Sequence, residues 1–148
     1  DTDGTISARL PILVGIASAQ YERGDLLLAA EYELRTSKLQ SDLLTPTLRF
    51  TDHGLYALGA YRLAPWLTPG AYYSLWLPDP YLKAGPEKYQ HDVALTLRFD
   101  INAHWLFKLE GHYMNGTQGL SPDLNRGVQR ADLTSSWGVF LLKTTAYF

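Results

Sequence analysis

Hydrophobic and polar side chains alternate at every second position in several stretches of this chain. In the stretch 105–116, WLFKLEGHYMNG, the odd positions from Trp105 to Tyr113 are apolar or glycine, and the even positions 108, 110 and 112 carry Lys, Glu and His. The stretch 89–100, YQHDVALTLRFD, repeats the alternation, with His91 as a polar exception on the apolar parity. Because successive side chains of a β-strand point to opposite faces of a sheet, each stretch predicts a strand with one apolar and one polar face.

The same period of two predicts seven strands along the chain. They cover residues 13–22, 25–35, 55–63, 67–77, 89–100, 105–116 and 137–148. A further strand over residues 5–12 would make the number even. The segment 25–39, DLLLAAEYELRTSKL, is also rich in good helix formers, but its apolar positions fit a strand better than the stripe of a helix.

The connections between these strands alternate in length. Three are short, at 22–25 with Gly24 in the turn, at 64–69 and at 100–104. The other three, at 36–53, 78–87 and 117–136, are predicted as long polar loops. Short turns at one end and long loops at the other are typical of transmembrane β-barrels, with the short turns on the periplasmic side. A soluble β-sandwich would show similar alternation and stays open as an alternative.

The predicted fold class is therefore all-β, a transmembrane antiparallel up-and-down β-barrel with about seven or eight strands in this chain. Residues 1–148 suit a single barrel domain, or a barrel segment that forms the C-terminal part of a larger barrel. No apolar stretch reaches the roughly 18–20 residues of a membrane-spanning helix. The chain has no Cys, which excludes disulfides and thiolate metal sites, and its net charge of −2 argues against nucleic-acid binding.

Aromatic and charged residues take distinct places in this prediction. Aromatic side chains near predicted strand ends are expected to form a girdle at the membrane–water boundary. These are Tyr21, Tyr32, Tyr61, Trp66, Trp105 and Phe148. The charged parity is expected to face the lumen, because Lys or Arg facing lipid near the midplane costs roughly 2–4 kcal/mol. The candidate lumen-facing residues are Glu31, Glu33, Arg35, Arg62, Asp92, Arg98, Lys108, Glu110, His112 and Lys143.

The polar residues offer little catalytic or metal-binding chemistry. His112 shares a strand face with Glu110 and Lys108, but no Ser lies in that strand, so we expect no enzyme activity. The other histidines lack metal-ligand spacing, so neither a metal nor a cofactor is expected. Asp79, Asp123 and Asp132, in predicted loops, are expected to be solvated, with calcium binding as the alternative. The loop 117–136 is expected to be a surface loop, with a pore constriction or contact with an extracellular partner as the alternatives.

The C-terminal residues carry a resemblance to a known family. The ending WGVFLLKTTAYF resembles the C-terminal signal of outer-membrane β-barrel proteins, with Phe140, Leu142 and Phe148 at the matching positions. WLFKLEGHYMNGTQGL resembles the last hairpin of porin-like proteins, and AQYERGDLLLAAEYE resembles another hairpin of that family. The resemblance covers most of residues 19–148. It implies a Gram-negative cell outer membrane as the location and the barrel-assembly machinery as the reader of the signal.

The expected function is that of a porin-like protein that forms or lines a passive diffusion pore for small polar solutes, with a role in ion transport. One alternative is a small closed outer-membrane barrel with a structural, adhesive or assembly role, since about eight strands leave no channel. The other alternative is a soluble β-domain that binds a ligand. The expected partners are outer-membrane lipid, the assembly machinery and small polar solutes, with no nucleic acid; whether the chain forms a homo-oligomer stays open.

Overall fold

The protein consists almost entirely of β-strands. The computed structural model describes residues 8–41, 44–79, 85–121 and 132–148. The strands are β1 (Ala8–Arg9), β2 (Ile12–Arg23), β3 (Leu26–Ser41), β4 (Leu44–Tyr61), β5 (Leu67–Leu77), β6 (Gln90–Asn102), β7 (Trp105–Gly116) and β8 (Ser136–Ala146). A single turn of 3-10 helix, Gly85–Lys88, lies between β5 and β6. No helix in the described ranges is long and apolar enough to cross a membrane.

The strands form one antiparallel sheet in which sequence neighbours pair. From β2 to β8 each long strand lies beside the next one along the chain, and β2 and β8 do not pair with each other in the described structure, so the sheet is open. This confirms the predicted all-β, up-and-down arrangement of seven long strands. It also confirms a strand rather than a helix from Leu26 onward.

The predicted extra strand over residues 5–12 does not form a separate eighth strand. Ala8 and Arg9 pair with Ser41 and Gln40 of β3, in the same register as β2, so β1 lengthens β2 along one edge. The interruption falls at Pro11, which has no backbone N–H to donate to a ladder, although its carbonyl oxygen still accepts from the amide of Lys38 at 3.1 Å. Residues 5–7 of this prediction lie outside the described residues.

The predicted loop over residues 36–53 is wrong. β3 continues to Ser41 and β4 begins at Leu44, so the two strands form a long hairpin that extends past β5, whose last residue Leu77 pairs with His53. Apolar and polar residues alternate poorly in this segment, but its backbone continues the β3–β4 ladder. The ladder is regular as far as the pair Leu39 and Leu48, and after a register shift it ends with the pair Ser41 and Leu44. Ladder hydrogen bonding thus overrides the side-chain pattern here. By contrast, β5 and β7 have the predicted bounds.

The two faces of the sheet have opposite chemistry and unusual exposure. Leu95 is 68% exposed and Phe140 is 71% exposed, whereas Asp52 and Thr96 on the other face are buried. Proline apart, Ala94 is the one aliphatic or aromatic residue that is buried among the described residues. A compact soluble protein of this mass exposes about 7,600 Å², and this chain exposes 10672 Å². The fold is therefore a single layer with its apolar face uncovered.

Gly116 closes the end of β7 in a conformation that requires glycine. Its φ of 111° lies in the left-handed region. Its amide donates to the carbonyl oxygen of Ser135 at 2.7 Å, and its own carbonyl oxygen accepts from the indole N–H of Trp137 at 3.0 Å. A Cβ at this position would collide with the backbone carbonyl of Tyr89. The close approach of the β5–β6 connection to β7 thus depends on the missing side chain.

Replacing Gly116 with alanine is expected to destabilise the protein by at least about 1–3 kcal/mol, because the strained φ and the collision add. The measurement is the midpoint of chemical denaturation. Gly111→Ala is the matched control, since Gly111 lies in the same strand, has no positive φ, and an added Cβ would meet nothing within 4 Å. Equal midpoints for the two variants would contradict this account of Gly116.

Candidate functional site

The charged residues of the long strands gather on one face of the sheet. Cross-strand register defines this polar face as the odd positions of β3 and β8 and the even positions of β4, β5, β6 and β7. Nine of the ten residues that the sequence groups by parity lie on this face: Glu31, Glu33, Arg35, Asp92, Arg98, Lys108, Glu110, His112 and Lys143. The tenth, Arg62, directly follows the end of β4 and lines a cavity together with Arg98 of this face. The opposite, apolar face carries Phe140 and Leu142 at exposed positions of β8, and Phe148 follows the end of that strand.

An ion-pair cluster lies at the long-connection end of the polar face. The guanidinium of Arg35 donates twice to one carboxylate oxygen of Asp52, at 2.9 Å and 2.6 Å, and stacks 4.9 Å from the ring centre of Trp76. The other oxygen of Asp52 accepts from the amide of Asp79 at 3.0 Å, and the carboxylate of Asp79 accepts from the amide of Thr51 at 2.9 Å. These charge-assisted hydrogen bonds fix the chain leaving β5 against the edge of β4.

A second cluster lies in the middle of the polar face and joins three strands. Nδ1 of His112 is 3.1 Å from the carboxylate of Asp92 and 3.2 Å from the hydroxyl of Tyr72. The rings of Tyr72 and Tyr56 are tilted, with their centres 5.5 Å apart. Nε2 of His112 is buried with no hydrogen-bond partner in the described structure.

Further ion pairs cover the part of the polar face nearer the short turns. Lys108 pairs with Glu110 at 2.6 Å, and Arg98 pairs with Asp100 at 2.7 Å. Arg98, Lys108 and Lys143 are cross-strand neighbours in β6, β7 and β8, so they form a basic row. Within the described structure Lys143 takes part in no ion pair, so it is the member of this row whose charge has no direct partner.

A cavity of about 250 Å³ opens beside the basic row at the short-turn end. Its lining joins the β2–β3 turn to β6 and includes Glu22, Arg62, Arg98 and Asp100. Arg62 is held there by its amide, which donates to the carbonyl oxygen of Asp25 at 2.9 Å. The cavity is therefore bordered by both signs of charge and suits water or a small polar solute better than an apolar ligand.

Small residues in the middle strand allow side chains of flanking strands to meet. Ala94 of β6 lies between Tyr72 of β5 and His112 of β7, and it is fully buried beneath their contact. Gly54 of β4 has the same role beneath Trp76, because a Cβ there would approach the indole ring to 3.2 Å. Contacts that span two strand spacings indicate that the polar face is the concave, shielded one.

The sequence grouped the charged residues but missed several of their partners. Asp52 fell in the predicted loop, and Tyr72, Trp76 and Asp100 carried no pattern that separates them from packing residues. The expectation that Asp79 is solvated is wrong, since it is buried and hydrogen-bonded to the β4 backbone. Asp123 lies outside the described residues, and Asp132 is exposed.

Tyrosines and histidines pair on the apolar face toward its long-connection end. The hydroxyl of Tyr32 is 2.7 Å from Nδ1 of His53, and that of Tyr73 is 2.7 Å from Nδ1 of His91. The exception His91 on the apolar parity of β6 is thus explained, because its polar atom has a partner on the neighbouring strand. Tyr113 likewise donates to the hydroxyl of Ser136 at 3.1 Å.

The arrangement contains no described set for nucleophilic catalysis or metal binding. His112 contacts an acid and a tyrosine rather than a serine. No group of three or more His, Asp or Glu in the described ranges is placed to hold a metal ion. Of the segment 117–136, residues 122–131 lie outside the described structure, and the amide of Gly119 donates to the side chain of Gln90 at 3.1 Å.

The two faces of the sheet differ in chemistry, and this difference is the feature that bears on function. No family model, curated protein or solved structure matches this chain.

Proposed function

We propose that this chain is part of the wall of an outer-membrane β-barrel of the porin-like kind. Its apolar face contacts lipid, and its polar face lines a water-filled pore for the passive diffusion of small polar solutes. The single observation that carries the proposal is the inverted exposure of the sheet. Leu95, Phe140 and Leu142 are exposed, whereas Asp52, Gln90 and Thr96 on the opposite face are buried.

The inverted exposure is hard to reconcile with water on the apolar face. Soluble monomers rarely expose contiguous apolar patches larger than a few hundred Å², and here large apolar residues are exposed on every long strand. Each buried Leu- or Phe-sized side chain gains roughly 1.5–3 kcal/mol relative to an exposed one. Lipid provides that burial without a second protein layer. A soluble ligand-binding domain would need a partner layer over this face.

The spacing of aromatic residues along β7 supports the same environment. Trp105 near the short-turn end and Tyr113 toward the other end are both exposed on the apolar face. They are eight residues apart, which corresponds to about 26 Å along a strand. A tilt of about 40° reduces this to about 20 Å across the membrane, close to the apolar band of roughly 25 Å between aromatic girdles.

The open edges of the sheet require pairing in a bilayer. Hydrocarbon cannot hydrogen-bond the free backbone groups of β2 and β8, so the sheet must close, either edge to edge or through further strands. Both edge strands carry apolar side chains on their polar face as well, for example Val14 and Leu141. Strand number then decides the function, because about eight strands leave a filled interior and about sixteen leave a channel.

The charges of the polar face suit small polar solutes. Most cations described on this face are paired with acids, which leaves a wetted wall without one dominant sign. Glu31, Glu33, Arg62 and Lys143 take part in no described ion pair, so they are available to passing ions. We further propose that the assembly machinery reads β8, the edge strand that carries Phe140 and Leu142.

Membrane insertion is tested by detergent dependence and by gel migration. A closed barrel in lipid or detergent is expected to migrate differently before and after boiling, because the unboiled sheet stays closed. The full-length protein is also expected to precipitate when detergent is removed. A protein that stays monodisperse in plain buffer and migrates identically with and without boiling would exclude this proposal.

Two neighbouring leucines of β8 test which face meets lipid. Leu142→Arg places a cation on the apolar face, and we expect it to destabilise the vesicle-inserted protein by roughly 2–4 kcal/mol. Leu141→Arg is the matched control, because this residue lies on the polar face opposite Glu110 and should be tolerated. The measurement is urea denaturation in phosphatidylcholine vesicles. Equal stabilities of the two variants would contradict the assignment of the faces.

Charge changes at Lys143 test whether the polar face lines a conducting pore. In planar bilayers under a KCl gradient, Lys143→Glu is expected to shift the reversal potential toward the K⁺ equilibrium value. Lys143→Gln should shift it about half as far, because Coulomb energy is proportional to the charge removed. If both variants conduct and keep the wild-type reversal potential, Lys143 lies away from the ion path. If the wild-type protein does not conduct, the small closed barrel is favoured.

A further inference from the structure

Three basic residues form a cluster beyond the end of the apolar face. They are Arg9 of β1, Lys38 of β3 and Arg49 of β4, and they are called the basic cluster here. Lys38 and Arg49 are direct cross-strand partners, and Arg9 lies opposite Gln40, two positions along β3 from Lys38. All three residues occupy strand positions whose side chains lie on the same side of the sheet as the apolar face. Side chains of direct partners are about 4.5–5.5 Å apart at Cβ, and diagonal neighbours are about 7–8 Å apart.

No member of the basic cluster takes part in an ion pair among the described residues. The four described ion pairs use Arg35, Arg98, Lys108 and His112 as their cations. Like charges directly opposite each other destabilise an antiparallel pair. On the polar face the same sheet pairs Arg35 with Asp52 across the same two strands. An anion held beside Lys38 and Arg49 would therefore offset their repulsion.

The height of the basic cluster identifies the kind of anion. Leu34 and His53 form the last cross-strand row of the apolar band, Thr36 and Thr51 form the next such row, and Lys38 with Arg49 follow. Four residues correspond to about 13 Å along the strand, or about 10 Å along the membrane normal at the usual barrel tilt. Long cationic side chains can bend toward the interface from that height. The basic cluster thus lies at the level of lipid headgroups.

We propose that the basic cluster binds the phosphate groups of a phosphorylated lipid in the outer leaflet, whose acyl chains lie along the apolar face below. The proposal rests on the proposed function, since it needs the apolar face to be in lipid. Two features indicate this ligand. Its phosphates complement the charge of the basic cluster, and its acyl chains cover the apolar surface that adjoins the cluster. Lys and Arg donate to phosphate through charge-assisted hydrogen bonds.

The experiment uses the full-length protein in a non-ionic detergent, with lipid A as the probe and native mass spectrometry as the readout. Wild-type protein is expected to retain lipid A, and not the same lipid after removal of both phosphates. Lys38→Gln and Arg49→Gln should each weaken binding about fivefold, and the double variant about 25-fold. Arg23→Gln is the matched control, because Arg23 lies on the same face at the opposite end of β2 and its replacement should leave binding unchanged.

The outcomes separate this proposal from the proposed function. Protein that shows heat-modifiable migration but binds both lipid forms equally would overturn the phosphate site and leave the barrel intact. Inorganic phosphate that competes at the concentration of the lipid would overturn a lipid as the occupant. Retained binding in the double variant would remove the basic cluster from the site. Protein that needs no detergent at all would overturn both proposals.

Discussion

The backbone hydrogen-bond ladder is the interaction on which the rest of this structure depends. No second layer packs against the described sheet, and Ala94 is its one buried aliphatic residue besides proline. Cohesion therefore comes from the ladder and from cross-strand side-chain pairs rather than from a hydrophobic core. A hydrogen bond contributes only about 0.5–1.5 kcal/mol when water competes for its groups, and it is stronger where water is excluded. A single-layer sheet of this kind is therefore more stable when its surroundings exclude water from one face. The apolar face excludes water from the ladder, and the ladder holds the apolar side chains together on that face.

The geometry of the polar face depends on where small residues interrupt it. Ala94 lets Tyr72 and His112 meet above β6, and Gly54 lets Trp76 extend over β4 toward Arg35. Larger residues at either place would separate the flanking side chains and turn their polar atoms toward open space. At both places three adjacent strands act together on the polar face. The middle strand carries a small residue, and the two outer strands carry the side chains that meet above it. This also explains why polar groups on a single-layer sheet are shielded well enough to form short, ordered ion pairs.

The sequence predicts which residues share a face of the sheet better than it predicts where each strand begins and ends. Parity alone placed Glu31, Arg98 and Lys143 on one surface, because a period of two leaves no freedom once the strand is assigned. It failed over residues 36–53, where Thr, Ser and Pro obscure the alternation although the ladder continues. It could not find Asp52 or Asp79 as partners, because their contacts join residues 17 to 28 positions apart and depend on register. The contact between His112 and Tyr72 could not be predicted either, because no local spacing in the sequence links β5 to β7, two strands away in the sheet.

Pairing between sequence neighbours has a consequence for how the chain acquires its structure. Every long strand finds its partner one connection away, so no step requires distant parts of the chain to search for each other. Loop-closure entropy is small for such local pairings, which favours rapid formation. Hairpins can therefore join a growing edge one at a time, each new strand using the last as its template. In the proposed barrel, joining the outermost strands would be the one pairing that is not local, so we expect it to be the final and slowest event.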